Sequence, residues 1–415
     1  MARTRARLQP RCADATHRSA CRLHDPVGRG HRGGVSVTQS VDEGCLARAR
    51  AAAKLVAPLS SRIEAERRLP PEAVAALVDV GVFKLFVPRA LGGHEASVAT
   101  MIAVLEDLAR GDGALGWCGM IGATSSLMCG FLPADVAREV YGPAGAITCG
   151  VFAPMGRATP VEGGYRVSGR WAFASGCEHS HWRMGGTIVD GRVDDVRSML
   201  FRADETKVID TWDTSGLRGT GSHDLEVTDV FVPAARSFSL LNDTPRATGA
   251  LVGVPFFGAL AAGVAAVALG IGRAAVDALV QVAQVKHPLG AKRSIANRDL
   301  VQLAVARAEA KLNAGRAYLQ ATVAAATQEA GQAGAASLAA RAQLRLAAYH
   351  AACEAAAATD LVYDAAGATS IYAKNPLQRC FRDVHVATQH IMVSPTAALQ
   401  VGKLLLGVET DVTTL

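Results

Sequence analysis

The stretch Gly164–Trp182, GYRVSGRWAFASGCEHSHW, concentrates side chains that can hold a ligand. Tyr165, Val167 and Gly169 alternate with Arg166, Ser168 and Arg170, the two-residue period of a strand. Carried onward, the period sets Trp171, Phe173 and Ser175 on one face, two rings and then a hydroxyl, with Ala172 and Ala174 opposite. A flat aromatic cofactor could lie on that face, with Ser175 donating to a ring nitrogen. The same pattern also describes a sandwich strand whose aromatics are core. Ser175-Gly176 ends the run, and Cys177, Glu178, His179, His181 and Trp182 follow as a polar, aromatic cluster. The nine cysteines are scattered singly, with no CxxC and no histidine at ligand spacing. That reads as a reduced, intracellular protein without a metal site.

The 415 residues allow two or three domains to position such a strand. Half are hydrophobic but only 5% are aromatic, and the abundance of alanine and glycine points to closely packed helices. The net charge of +6 is local: residues 1–34 hold eight arginines against Asp14 and Asp25, and the remainder sums to zero. A nucleic-acid surface on the folded part is therefore not expected. The arginine-rich leader has the composition of a transit peptide, but disorder, or a start upstream of the true one near Val35, is the preferred reading. No secretory apolar core follows the arginines, so a cytoplasmic location is expected. Between Arg246 and Arg273 there is no charge, enough chain to span a bilayer. Its alanines, glycines and Pro255 favour a buried central helix, and no membrane partner is expected.

Periodicity divides the chain at 1–40 (leader), 41–145 (helical), 146–245 (β) and 246–415 (a four-helix bundle). Helices are expected over 44–80, broken at Leu69-Pro70-Pro71, then 98–110 and 114–132. Strands are expected at 146–153, 164–175, 184–189, 197–202, 206–211 and 224–232. Bundle helices follow at 258–285, 298–329, 336–365 and 380–406.

Several segments resemble the acyl-CoA dehydrogenase superfamily. Leu69-Pro70, Gly81-Val82, Val87-Pro88 and Leu91-Gly92-Gly93 are similar to its N-terminal pattern, and Asp224–Pro233 to the closing strand of its middle domain. Asn375–Asp383, with Arg379 and Arg382, resembles its C-terminal run. The likeness covers about 45–410 and implies an α+β fold: helical domain, β domain, four-helix bundle. A dehydrogenase needs a carboxylate to take the substrate's α-proton. Where the family carries that glutamate this chain reads Thr388-Gln389-His390-Ile391, and no glutamate lies between Glu226 and Glu309, while Asp243 and Asp277 flank the first bundle helix. Both positions lack the base.

What is present resembles the flavin-dependent monooxygenases of phenols, steroid rings and aromatic polyketides. Gly169-Arg170-Trp171 with Ser175-Gly176, the loop Trp212–Ser222 with Arg218, and Arg382-Asp383-Val384-His385 before His390 carry that likeness. It implies reduced flavin from a separate reductase, O2 as co-substrate, and an aromatic or polycyclic small molecule. A serine and a histidine would keep activated oxygen dry and hydrogen-bonded. His390, seven residues after Asp383, is expected on the same helix face, as base or as donor, while His385 faces outward. Trp171, Phe173, Ser175, Gly176, Trp212, Arg218, Arg379 and Arg382 are the implied flavin contacts. Lys286 of Lys286–Gly290 and Gly367 of Tyr363–Gly367 stand where the family reaches the adenosine half, with altered motifs that leave FAD and FMN both open. Trp117, Thr124 and Ser125 are the substrate candidates, the latter two standing where some relatives carry a histidine. A homotetramer is implied. The rival readings are an acyl-CoA dehydrogenase or oxidase with a displaced base, and a flavin-binding or non-catalytic partner subunit.

Overall fold

The part of the charge-free run before Arg273 forms the first half and slightly more of α7 (Phe256–Val285), a helix of 30 residues. By length and hydropathy it could cross a bilayer, yet 89% of its most apolar window is buried in the fold. Small residues permit this. A Cβ built on Gly270 would meet the Glu106 carbonyl oxygen at 2.3 Å, so α7 touches its neighbour backbone to backbone. The computed structural model describes residues 41–246 and 255–415, and the arginine-rich leader lies outside the described residues.

Among the described residues six α-helices precede the sheet: α1 (Glu43–Val56), α2 (Ser60–Glu66), α3 (Pro71–Val80), α4 (Val98–Gly111), α5 (Gly113–Ser125) and α6 (Ala134–Tyr141). Pro71 starts α3 and Gly81, at φ 79°, stops it. The helix expected over 114–132 tightens into a 3-10 stretch at Ser126, and α6 has no counterpart in the sequence reading. Its eight residues are too short a run to stand out from a turn-rich segment.

A seven-stranded mixed sheet follows, in the order β5-β6-β2-β1-β3-β4-β7. The strands are β1 (Thr148–Val161), β2 (Gly164–Trp171), β3 (Trp182–Val189), β4 (Arg192–Arg202), β5 (Lys207–Ile209), β6 (Asp224–Pro233) and β7 (Ser237–Phe238). Among the described residues only β1 and β3 pair in parallel. Strand β2 ends at Trp171, four residues before the expected end at Ser175.

Behind α7 come α8 (Asp299–Ala333), α9 (Leu338–Ala366), α10 (Pro376–Ala387) and α11 (Pro395–Leu405). The expected fourth bundle helix is thus two helices. Thr388 Oγ1 and Gln389 Nε2 turn back onto the His385 carbonyl, at 2.9 and 3.3 Å, where α10 ends. Ser394 then takes the extended conformation that precedes proline, and Pro395 begins α11.

Candidate active site

The end of β2 decides where Ser175 goes. The Trp171 ring lies within the sheet's own core, 1% exposed, with its indole N–H donating to the Gly186 carbonyl at 2.7 Å. A Cβ on Gly156, Gly169 or Gly185 would press into that ring at 2.3, 2.7 and 2.4 Å, so these glycines make its slot. Trp171 is therefore a core side chain, and the expected shared face of Trp171, Phe173 and Ser175 does not form. Past it the chain leaves the sheet and laces onto the segment before β6. Ala174 N–H donates to the His223 carbonyl and Gly176 N–H to the Thr220 carbonyl, both at 3.0 Å. Phe173 sits at φ 67°, an uncommon conformation for an aromatic residue, and its ring is 71% exposed, edge-on to Trp212 with centroids 6.2 Å apart. That reversal turns Ser175 away from Phe173 and toward α5.

There Ser175 Oγ, 4% exposed, accepts from the Trp117 indole N–H at 2.9 Å. Trp117 is fixed by α5, whose N-terminus is capped by Asp112 through Ala114 N–H (2.9 Å) and Leu115 N–H (3.2 Å). Gly116 brings α5 against Ala109 of α4, where a Cβ would lie 2.5 Å from the Ala109 methyl.

His390 reaches the same place from the break between α10 and α11, not from a helix face shared with Asp383. Its ring meets Trp117 edge-on, centroids 5.6 Å apart. His390 Nδ1 accepts from Met392 N–H at 3.2 Å, so the neutral ring carries its proton on Nε2. Burial, reinforced by the nearby Arg345 guanidinium, holds His390 down at about 4, neutral at physiological pH. Arg345 is 2% exposed, contacts Met392 Sδ at 2.9 Å and the Phe257 carbonyl at 3.4 Å, and pairs with no carboxylate among the described residues. Three segments distant in sequence thus meet: Ser175 past the sheet, Trp117 on α5 and His390 in the bundle.

The chain is 31% identical over 352 residues to an indole-3-acetate monooxygenase of Pseudomonas putida, covering 82% of this chain and 88% of that one. It is 32% identical over 349 residues to a flavin-dependent monooxygenase, oxygenase subunit HsaA, of Mycobacterium tuberculosis, covering 80% and 87%. Residues 46–134 and 262–395 match the family descriptions "Acyl-CoA dehydrogenase, N-terminal domain" and "Acyl-CoA dehydrogenase, C-terminal domain". The chain belongs to the acyl-CoA dehydrogenase superfamily, on its flavin-dependent monooxygenase branch. The structure of XiaF from Streptomyces sp., solved in complex with FADH2 and glycerol, superposes with a TM-score of 0.81 at 27% identity, covering 88% of this chain and 96% of that one.

For a member of this branch the remaining expected residues fall into distinct places. Trp212 donates its indole N–H to the Leu217 carbonyl at 3.0 Å, and Arg218 binds Asp213 (2.9 Å) and the Thr214 carbonyl (2.7 Å). Arg382 donates to the Ser215 carbonyl at 2.5 Å and pairs with Glu64. Beside it Asp383, with Arg379 close by, accepts from Leu217 N–H at 2.6 Å. These side chains brace the loop before β6. Burial, and then the Asp112 carboxyl, push Asp383 up to about 7. Lys286, at the end of α7, donates to the Ala366 carbonyl at 2.7 Å and lies beside Gly367, so those two meet. Thr124 is buried with its hydroxyl bonded back to the Met120 and Ile121 carbonyls, and Ser125 is buried with its carbonyl accepting from Tyr141. The Thr124 hydroxyl is thus engaged within its own helix.

Both places for a dehydrogenase glutamate are accounted for. Thr388–Ile391 is the helix break that brings in His390. Asp277 lies inside α7 and does not flank it, and it is paired with Arg110 (2.7 Å) and Arg273 (3.2 Å). Among the described residues one trio of metal-type donors, Asp42, Cys45 and His94, stands together, but the Arg48 guanidinium is 3.1 Å from Cys45 Sγ and Asp42 caps α1. Thr220, Ser222 and Arg345 were not singled out from the sequence. Thr220 and Ser222 stand inside the loop Trp212–Ser222 that carries the family likeness, but no role was read for them there.

Proposed function

We propose that this protein is the oxygenase of a two-component system, hydroxylating an aromatic or polycyclic small molecule with O2 and with reduced flavin, FAD or FMN, delivered by a separate reductase. The observation that carries it is the contact of Ser175 with Trp117 and of Trp117 with His390, in a site where no carboxylate takes part in these contacts. The side-chain chemistry suits a flat ring system: Phe173 offers an exposed aromatic face beside Trp212, and Ser175 a buried hydroxyl held by Trp117. When bound, reduced flavin supplies the electrons that activate O2. The chain's own residues do the rest. Ser175 holds the ring edge, Trp117 fixes Ser175 and closes the site to water, and His390 presents Nε2–H toward developing negative charge. A neutral imidazole whose Nδ1 is engaged by backbone N–H acts as a donor and has no free lone pair with which to take a phenolic proton. Phe173, Gly176 and Trp212 would border the ring. Arg218, Arg379 and Arg382 would act mainly through the loop they brace, and Lys286 with Gly367 would meet the adenosine half where FAD is used. A cytoplasmic homotetramer completes the reading.

The test is anaerobic mixing of the flavin-loaded protein with saturated acyl-CoAs from short to long chain. The visible spectrum of oxidised flavin should stay unchanged. Bleaching by any of them would restore the dehydrogenase reading and require a carboxylate base elsewhere.

A further inference from the structure

Ser175, Ser222 and Thr220 form a row of hydroxyls that can be filled in only one sense. At one end the Trp117 indole N–H, which can only donate, reaches Ser175 Oγ at 2.9 Å. At the other end the Leu217 carbonyl, which can only accept, lies 2.9 Å from Thr220 Oγ1. Between them are two contacts of 2.6 Å, Ser175 to Ser222 and Ser222 to Thr220. Three hydroxyl protons serve three contacts. Thr220 gives its proton to Leu217, Ser222 to Thr220 and Ser175 to Ser222. Reversing any one leaves two oxygens facing each other with no proton between them. The three hydroxyl residues are 4%, 3% and 2% exposed in the order Ser175, Ser222, Thr220, so water does not compensate.

We infer that this row sets the polarity of Ser175 and makes it a selector of flavin redox state. Its proton is committed inward to Ser222, one lone pair is taken by Trp117, and one lone pair remains to face a ligand. That reverses the sense expected from the sequence, in which Ser175 donates. On reduction the central ring of a flavin gains an N–H, where the oxidised ring has a bare acceptor nitrogen. An outward lone pair accepts from the first and repels the second. Ser222 and Thr220, buried behind Ser175, are positioning residues. The inference rests on the reading that Ser175 meets the flavin ring.

The experiment is an anaerobic equilibrium titration with FMN and FAD, each oxidised and dithionite-reduced, giving the ratio of the two Kd values. Wild type is compared with Ser222→Ala and with Thr220→Val, each checked for an intact thermal transition. In Ser222→Ala the Ser175 proton loses its acceptor and turns outward. In Thr220→Val the Ser222 proton is freed to point at Ser175, with the same result. Both variants should lose about tenfold of the preference for reduced flavin, the worth of one hydrogen bond. For the two-electron couple that lowers the bound-flavin potential by about 30 mV. An unchanged ratio in both variants, with flavin still bound, overturns the relay and leaves the flavin reading intact. Failure of wild type to bind either flavin in either redox state overturns the flavin reading itself.

Discussion

Trp117 and Ser175 are 58 residues apart in sequence and joined by one hydrogen bond of 2.9 Å between indole and hydroxyl. The bond ties α5 to the segment that follows β2, so helical layer and sheet cannot shift independently without opening the site. Its removal has a defined cost. Trp117→Phe keeps a ring against His390 but leaves Ser175 short of a partner, and should destabilise the protein by about 1 kcal/mol. Chemical denaturation checks that, and in turnover the share of electrons released as H2O2 should rise.

Ser175→Ala should have the larger functional effect. Losing a buried hydrogen bond worth about 0.5–1.5 kcal/mol corresponds to roughly threefold to tenfold more H2O2 released per product formed. Peroxidase-coupled detection alongside product quantification measures the ratio. No change would remove Ser175 from the site.

For His390 the two conceivable roles give opposite results with one substitution. As an Nε2–H donor it should be replaced tolerably by glutamine, whose amide also donates, while His390→Ala should cost about 10²–10³-fold in turnover. As a base it would be replaced by neither. The pH profile gives a second check: with His390 held at about 4, wild-type turnover should show no histidine ionisation between about pH 5 and pH 8.

Asp383 supplies the pH dependence of stability. Its carboxyl is raised to about 7 in the fold, chiefly by burial, against an ordinary value near 3.8 in the unfolded chain. Between those values the folded form keeps a proton that the unfolded form releases, so this contribution to stability is lost as pH rises through about 7. Asp383→Asn keeps an acceptor for Leu217 N–H and abolishes the titration. Thermal midpoints recorded from pH 3.8 up to about pH 7, the interval between the two values, should therefore fall less steeply in the variant. Parallel slopes would contradict the assignment.

What was legible in the sequence follows from the range of the interactions involved. The buried helix α7 could be read because charge is absent over a long stretch, and the missing base because the acids are few enough to place one by one. Pro71 and Gly81 marked their helix ends by local backbone restriction. Trp171 was misplaced for a physical reason: the two-residue period persists in letters after the chain has left the sheet, and nothing local announces the φ of 67° at Phe173. His390 was put on a helix because the break before Pro395 falls several residues upstream of the proline itself. Ser222 and Thr220 meet Ser175 only through tertiary folding, across 47 residues for the Ser175–Ser222 pair, and such a contact has no sequence code.

The most direct test of the oxygenase account uses isotopically labelled O2. The protein is supplied with reductase, NADH and flavin, and screened against phenols, indoles and fused-ring aromatics until a hydroxylated product is found. Repeating that turnover under labelled O2 should give product carrying one heavy oxygen atom, with none incorporated from labelled water. Label arriving from water, or no product from any aromatic while an acyl-CoA reduces the flavin, would contradict the account.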